Sequence, residues 1–511
     1  MKNKTILYPI IGALLLGGGY YLFAGQPSDP ASIATESAVV ELKNGAIYNL
    51  TADYIVKVID GREQTMLAYN GSIPGPTIKV VQGAEITINF KNATDMPALL
   101  HSHGVRMENA FDGSQLQQKE MKPGESFSYK LAFPDAGVYW YHPHAKEVYG
   151  QGLGLYGAFI VTPTNPASFP PVNREVPLFL SDIPLENGKI ALDKNIISHS
   201  LMGHYGNVML VNGKEKFDLM AKAGEVIRLY VINAANARPF NFTINGLKLK
   251  LVGGDNGAYE KAMFVESVIL SPSERAIVDI FVPQAGIYAI ENRTPEKTYA
   301  LGTITVTSDR ARTSYEQMFN TLQTNQETIT SINPFRTFFI AEPTKRITLT
   351  LDGGMRGMMG GGGMMSGGMM GGSMMRTSPD GIEWDDTNQM MNAMSNTAMV
   401  KWKIIDQATS KENNAIDWTF KKDIPVKIRI FNDPNSMHPM QHPIHFHGQR
   451  FLIVNRNGIQ ETNLAWKDTV LVPAGETVDI VLDTSNPGTW MAHCHISEHL
   501  ETGMMFSFTV R

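Results

Sequence analysis

The stretch VPAGETVDIVLDTSNPGTWMAHCH (472–495) decides the fold. Polar and apolar residues alternate through it with period two, and prolines and glycines punctuate the run. Alternation bounded by turn formers marks a strand with one buried face. The phrase occurs twice more, as KPGESFSYKLAFPDAGVYWYHPH (122–144) and SPSERAIVDIFVPQAGIYAIENR (271–293). Each copy has a proline-led turn, an acidic residue, an alternating strand, a glycine turn and a final strand. A second phrase recurs as ALLHSHG (98–104), FNFTING (240–246) and HPIHFHG (442–448). Repeats this far apart are domains, not solenoid units. The expected fold is all-β, with three antiparallel β-sandwiches at 45–165, 170–310 and 335–511. Long amphipathic helices are nearly absent from the pattern.

The repeats differ in one chemical respect. Where the first has His142 and His144, the middle has Glu291 and Arg293. Where the third has His445 and His447, the middle has Thr243 and Asn245. The middle domain therefore keeps the scaffold and lacks the histidines, and the first and last domains are expected to meet. Ten of the 13 histidines fall in four clusters: His101/His103, His142/His144, His442/His445/His447 and His493/His495/His499. Only His199, His204 and His438 stand outside. A lone strand histidine is usually structural, but chance is a poor account of this clustering.

On a strand, residues i and i+2 share a face and i+1 points the other way. Each His-x-His pair thus presents two imidazoles side by side. In His493-Cys494-His495 the thiol faces away from both histidines, so one strand serves two sites. His442, three residues before His445, falls on the thiol's side. One site then gathers Cys494, His442 and His499, with Met504 five residues on. Two imidazoles, a thiolate and a weak thioether are the blue-copper electron-transfer set. The other site gathers eight imidazoles, suited to several coppers open to a small ligand. Zinc prefers closed four-coordinate sites and gives no reason for an axial methionine.

These four motifs together resemble the multicopper oxidases, the group containing laccases and bacterial cuprous oxidases, over about residues 45–511. The resemblance implies three cupredoxin-like Greek-key sandwiches and four coppers. It places a type 1 copper on His442, Cys494, His499 and Met504, and a type 2 copper on His101 and His445. It places one type 3 copper on His103, His142 and His495 and its partner on His144, His447 and His493. It also implies one-electron oxidation of a donor at the type 1 copper and reduction of O₂ to water at the cluster. Asp112, before Gly113, matches the family's acidic residue near the first motif; it serves oxygen or proton handling, or is an ordinary turn aspartate. Many bacterial relatives carry Glu after the last histidine, where this chain has Leu500, so Glu498 and Glu501 become candidates for proton relay. Asp468 reads more readily as a loop aspartate than as a partner orienting a ligand imidazole.

Residues 353–375 read GGMRGMMGGGGMMSGGMMGGSMM, the start of a methionine-rich insert spanning 353–400. Glycine content excludes a packed core there. The tract is either a linker or a set of soft thioethers that attract Cu(I); methionine's liability to oxidation favours the second reading. Inserts of this kind occur in bacterial cuprous oxidases. Met355, Met437, His438 and Met440 are the residues expected to dock a Cu(I) donor. A short helix within 383–400 is expected to cover the type 1 site.

Lys2 and Lys4 precede an apolar run from Ile6 to about Ala24. Residues 1–44 thus hold a secretory signal or a membrane anchor, followed by a linker. The folded part is expected outside the cytoplasm, in the periplasm or on the outer face of the membrane, as a monomer. The net charge of −5 gives no basic excess, which excludes a nucleic-acid partner. One cysteine in 511 residues excludes a disulfide framework and a cysteine-only zinc site. The expected function is Cu(I) oxidation coupled to O₂ reduction, in copper tolerance. The alternatives are a laccase-like oxidase of phenols, Mn(II) or Fe(II), and a non-enzymatic copper-sequestering protein.

Overall fold

The computed structural model describes residues 32–352 and 378–511. The apolar N-terminal run and the tract containing Met355 lie outside the described residues. Among the described residues no helix is long and apolar enough to cross a membrane, and the longest helix is the seven-residue Gln326–Ile332.

Among the described residues, six principal sheets form three sandwiches. In the first, Ile47–Ile59, Arg62–Tyr69, Glu85–Asn92 and Ser126–Ala132 build one sheet with a short N-terminal strand. Val39–Glu41, Thr77–Val81, Gly157–Thr162, Gly137–Pro143 and Leu100–His103 build the other. Leu50, Ile88 and Tyr129 of one sheet share a core with Ile78, Tyr139 and Phe159 of the other. The middle and last domains each repeat this plan with a six-stranded and a five-stranded sheet. Burial of alternate residues drives each closure, because a sheet with one apolar face is stable only against another.

The sequence repeat is a repeat of register. His101 lies opposite His142, Thr243 opposite Glu291, and His445 opposite His493. The middle domain thus holds the same strand pair with non-ligating side chains. Within these sandwiches, expected to be antiparallel, some neighbouring strands run parallel. Ile47–Ile59 runs parallel to Glu85–Asn92, Arg174–Ile183 to Glu225–Asn233, and Lys345–Asp352 to Val426–Asn432. Period-two alternation reports which face is buried and carries no information on strand direction.

The domains are joined by apolar and ionic contacts. Ile55 and Trp140 of the first domain pack with Phe179, Tyr230 and Ile277 of the middle one. Asp135 of the first domain accepts from Arg106 Nε at 2.6 Å and from Arg450 Nη1 of the last at 2.8 Å. Arg450 also reaches Asp483 at 3.0 Å.

The two guanidinium groups overcome burial and hold the Asp135 carboxyl below its ordinary value. Its contribution is therefore full above the ordinary carboxylate range and is lost as pH falls through the lower folded value. Asp135→Asn should cost about 3 kcal/mol near neutral pH, as expected for breaking a largely buried pair. The difference from wild type should shrink on acidification. Thermal unfolding across a pH series checks this; an Asn variant as stable as wild type at pH 7 would contradict it.

Candidate metal centre

The strand Gly488–Cys494 ends the last repeat and runs beside His442–Phe446, with Ile444 opposite Cys494. Opposite faces of these two strands carry two sites. On the inner face of the last sandwich, Cys494 Sγ lies 3.6 Å from Nδ1 of both His442 and His499, and those two nitrogens are 3.3 Å apart. Three donors at the corners of a near-equilateral triangle match a His₂Cys copper site. His499 reaches it from the helix Ser497–Glu501, and its Nε2 donates to Leu201 O at 3.3 Å. Trp402 packs on both imidazoles, with ring centroids 4.7 and 4.5 Å away. Met504 is fully buried in the same core, and its carbonyl accepts from Cys494 N at 3.1 Å. Burial pushes the Cys494 thiol well up, so a bound cation is needed to hold the thiolate.

The other face gathers eight buried histidines from the first and last domains. His103 stacks on His445 at 3.7 Å between centroids, and His101 lies 4.1 Å from His447. His495 is 5.0 Å from both His103 and His142. Donor atoms close enough to share an ion include those of His144, His447 and His493, and those of His101, His103 and His142.

The hydrogen bonds fix which ring nitrogens point inward. Nδ1 of His101 meets Asp112 O at 2.7 Å, that of His142 meets Pro143 O at 3.0 Å, and that of His445 meets Asp468 O at 2.8 Å. Nδ1 of His493 meets Cys494 O at 2.9 Å. A carbonyl only accepts, so each Nδ1 carries the proton and each Nε2 keeps a bare lone pair. Nε2 of His101, His142, His144 and His445 has no protein partner. Nε2 of His447 and His493 lie 3.0 Å apart, facing each other. Burial also drives these imidazoles below their ordinary pKa, His101 to about 3 and His493 to about 4. Buried lone pairs converging from neutral rings fit soft or borderline cations.

Acidic residues brace this cluster. The Asp112 carboxylate accepts from His447 Nδ1 at 3.0 Å, while its carbonyl holds His101. Gly113 follows it at φ 78°, where a Cβ would stand 1.9 Å from Leu100 O. The glycine is thus what lets the turn close on the first histidine strand. Reading Asp468 as a loop aspartate is corrected. It is fully buried and accepts from His103 Nε2 at 3.0 Å. It also accepts from both terminal nitrogens of Arg275, at 2.7 and 2.5 Å. With both oxygens engaged, Asp468 orients a ligand rather than acting as one. Arg275, in the middle domain's copy of the repeat, also donates to Val138 O of the first domain at 2.9 Å.

The relay candidates separate. Glu501 is exposed. Glu498 is buried, with Oε1 2.6 Å from His204 Nδ1 and Oε2 unpartnered. A third carboxylate, missed in the sequence, lies against the cluster itself. Glu147 Oε1 is 3.8 Å from His142 Nδ1 and 3.9 Å from His495 Nδ1, and neither of its oxygens has a partner. Burial, with Glu501 and Glu498 nearby, raises its carboxyl well above the ordinary range. Glu147 opens the helix Glu147–Gly152, three residues after His144, and that spacing was the signal available for finding it. Leu500 leaves the usual position apolar.

On the donor side, His438 is 2% exposed with Nε2 unpartnered, and burial lowers it to about 4. Met437 is half-buried and Met440 fully buried in the last domain's core. The helix expected within 383–400 is Gln389–Met394. Met391 packs against the core of the blue-type site, while Met390 and Met394 are 77% and 62% exposed.

Fold and site together define a copper oxidase, and comparison with known proteins gives the same class. Multicopper oxidase family models match residues 51–166, 184–311 and 383–511. The chain is 25% identical to the multicopper oxidase mco of Staphylococcus aureus, over 87% of this chain and 84% of that protein. It is also 25% identical to the multicopper oxidase MmcO of Mycobacterium tuberculosis, over 86% and 82%. A solved multicopper oxidase from Campylobacter jejuni, described as a metallo-oxidase, superposes with TM-score 0.71 at 26% identity, covering 94% of this chain and 96% of that one. The chain belongs to the multicopper oxidases, copper oxidoreductases that use O₂ and a reducing substrate.

Asp468→Asn should weaken copper retention at the histidine cluster about 10–100-fold, the usual effect of losing a partner that orients a ligand. The blue absorption of the Cys494 site should persist. Copper content after a chelator challenge, read beside the visible spectrum, checks this; full retention in the variant would contradict it.

Proposed function

We propose that this oxidase takes electrons from Cu(I), one at a time, and delivers them to O₂ as a copper-tolerance enzyme outside the cytoplasm. Four Cu(I) and four protons balance one O₂, giving four Cu(II) and two waters. The observation that carries the donor assignment is where the residues flanking the methionine tract are held. Leu351, just before it, donates its N–H to Ser436 Oγ at 3.0 Å, and Glu383, just after it, donates to Gln441 Oε1 at 2.7 Å. The described residues on either side of the tract therefore both meet the segment that leads into His442. The tract holds nine of the chain's 28 methionines, and thioethers prefer Cu(I). The Campylobacter relative's description as a metallo-oxidase supports the same reading.

By motif position, His442, Cys494, His499 and Met504 would hold the type 1 copper, and His101 with His445 the type 2 copper. His103, His142 and His495, and His144, His447 and His493, would hold the type 3 pair. Copper bound there supplies the electron storage and the O₂ reduction. The chain supplies the path: Cys494 is joined by single peptide bonds to His493 and His495, so an electron entering at the thiolate reaches the cluster through bonded atoms. Burial excludes solvent from both sites, and Asp112 and Asp468 hold His447 and His103 in fixed tautomers. Asp112 and Glu147 are the carboxyl groups placed to hold protons beside the cluster.

Deleting 353–375 should abolish most Cu(I) oxidation while phenol oxidation is kept or raised; equal loss of both would contradict the Cu(I) reading in favour of a laccase-like donor. Cys494→Ser should remove the blue colour and oxidation of every donor, with the eight-histidine cluster still binding copper. Absorption spectra with oxygen-uptake assays check this; a colourless variant that still oxidises donor at wild-type rate would contradict the electron path.

A further inference from the structure

Two of the three histidines outside the motifs stand together on the donor side. His199 and His204 belong to the segment 198–206, which covers His499: Leu201 O accepts from His499 Nε2, and Ser200 O accepts from Trp402 Nε1 at 3.1 Å. The two imidazoles lie 4.1 Å apart between centroids. His199 Nδ1 is 2.9 Å, and His204 Nε2 3.5 Å, from the same atom, Ser198 Oγ. His199 holds this position at φ 57°, a left-handed conformation uncommon outside glycine.

The pair has the organisation of a metal site. His204 Nδ1 lies 2.6 Å from Glu498 Oε1, the carboxylate–histidine pairing that fixes a tautomer and leaves Nε2 an acceptor, with the long 3.5 Å contact to Ser198 Oγ beside it. One hydroxyl proton on Ser198 cannot serve two lone pairs, so in either tautomer of His199 a ring nitrogen is left for another partner. The imidazoles border a cavity of about 210 Å³, whose lining includes Glu186, Asn207, Asp386 and Gln389. Burial and the neighbouring His204 lower His199 below its ordinary value against the pull of Glu498, Asp386 and Glu186, which keeps the ring neutral and able to ligate. The donor set is nitrogen and oxygen, without sulfur. That composition suits a borderline divalent ion such as Cu(II) and not the Cu(I) that thioethers select.

The surroundings connect this site to the methionines. Leu201 N donates to Ser395 Oγ at 2.9 Å and Met202 N to Asn392 Oδ1 at 3.0 Å, binding the segment to the helix that exposes Met390 and Met394. We propose that His199 and His204 form a fifth copper site, which receives the product Cu(II) after its electron has passed to the Cys494 site. The existence of the site stands on its own geometry; its role as product acceptor rests on the Cu(I) reading above. The step needs no further reactant: Cu(I) loses one electron to the enzyme, and the resulting Cu(II) leaves sulfur ligands for nitrogen and oxygen ones.

The test is equilibrium dialysis of the oxidised holoenzyme against Cu(II) in a weakly chelating buffer, with electron paramagnetic resonance of the added ion. One Cu(II) beyond the resident complement, coupled to two imidazole nitrogens, is expected. His199→Asn, which tolerates the left-handed backbone, should weaken its binding about 10–100-fold and leave the blue band intact. In the unaltered enzyme, added Cu(II) should also protect the half-buried His199 from acylation by diethyl pyrocarbonate, a readout independent of any variant's folding. Absence of an added Cu(II), equal binding in the variant, or no protection would each overturn the site. A site that binds Cu(II) in an enzyme unable to oxidise Cu(I) would leave the site standing and remove its role in turnover.

Discussion

One buried ion pair ties the architecture to the chemistry. Arg275 sits in the middle domain, grips Asp468 of the last domain through both terminal nitrogens, and donates to Val138 O of the first. Asp468 in turn holds His103 of the first domain. A guanidinium fully removed from water is costly unless every donor is answered. Here the answers come from all three domains, so the arrangement is satisfied only when they are assembled. The histidine cluster, split between the first and last domains, depends on that assembly. This gives the middle domain, whose repeats carry no motif histidine, a physical role: it supplies the charge that fixes the aspartate that fixes a ligand.

The second constraint is the parity of a single strand. His493 and Cys494 are adjacent, so they point to opposite faces, one into the shared cluster and one into the core of the last sandwich. No loop could hold the two sites so close in sequence and so separate in environment. The thiol side is apolar, packed by Trp402, Met504 and Ile444. The histidine side is a shell of outward-donating imidazoles braced by Asp112, Asp468 and nearby carbonyls. A rigid sheet between them fixes the spacing an electron has to cross.

Much of this was legible in the sequence because strands translate spacing directly into direction. The His-x-His pairs, the lone Cys494 and the odd offset of His442 assign sides without any tertiary information. The three-fold repeat likewise gives matching registers, down to Thr243 opposite Glu291 where the other domains have histidines. What escaped the sequence depends on contacts between distant segments. Asp468 resembles any loop aspartate until Arg275, 193 residues away, is brought against it. Glu147 lies in a helix start with no strand periodicity to aim it. His199 and His204 carry no motif, and their pairing arises only from a turn that places both beside Ser198. Strand direction was missed for a related reason, since alternation is the same for parallel and antiparallel neighbours.

The account stands on two copper-binding environments of different kinds in one chain: a thiolate site and an eight-imidazole cluster. Metal content and the visible spectrum of the purified enzyme test it most directly. Four tightly held coppers per chain with an intense blue thiolate-to-copper band is the result the account predicts. A single copper, no blue band and no O₂ consumption would contradict it.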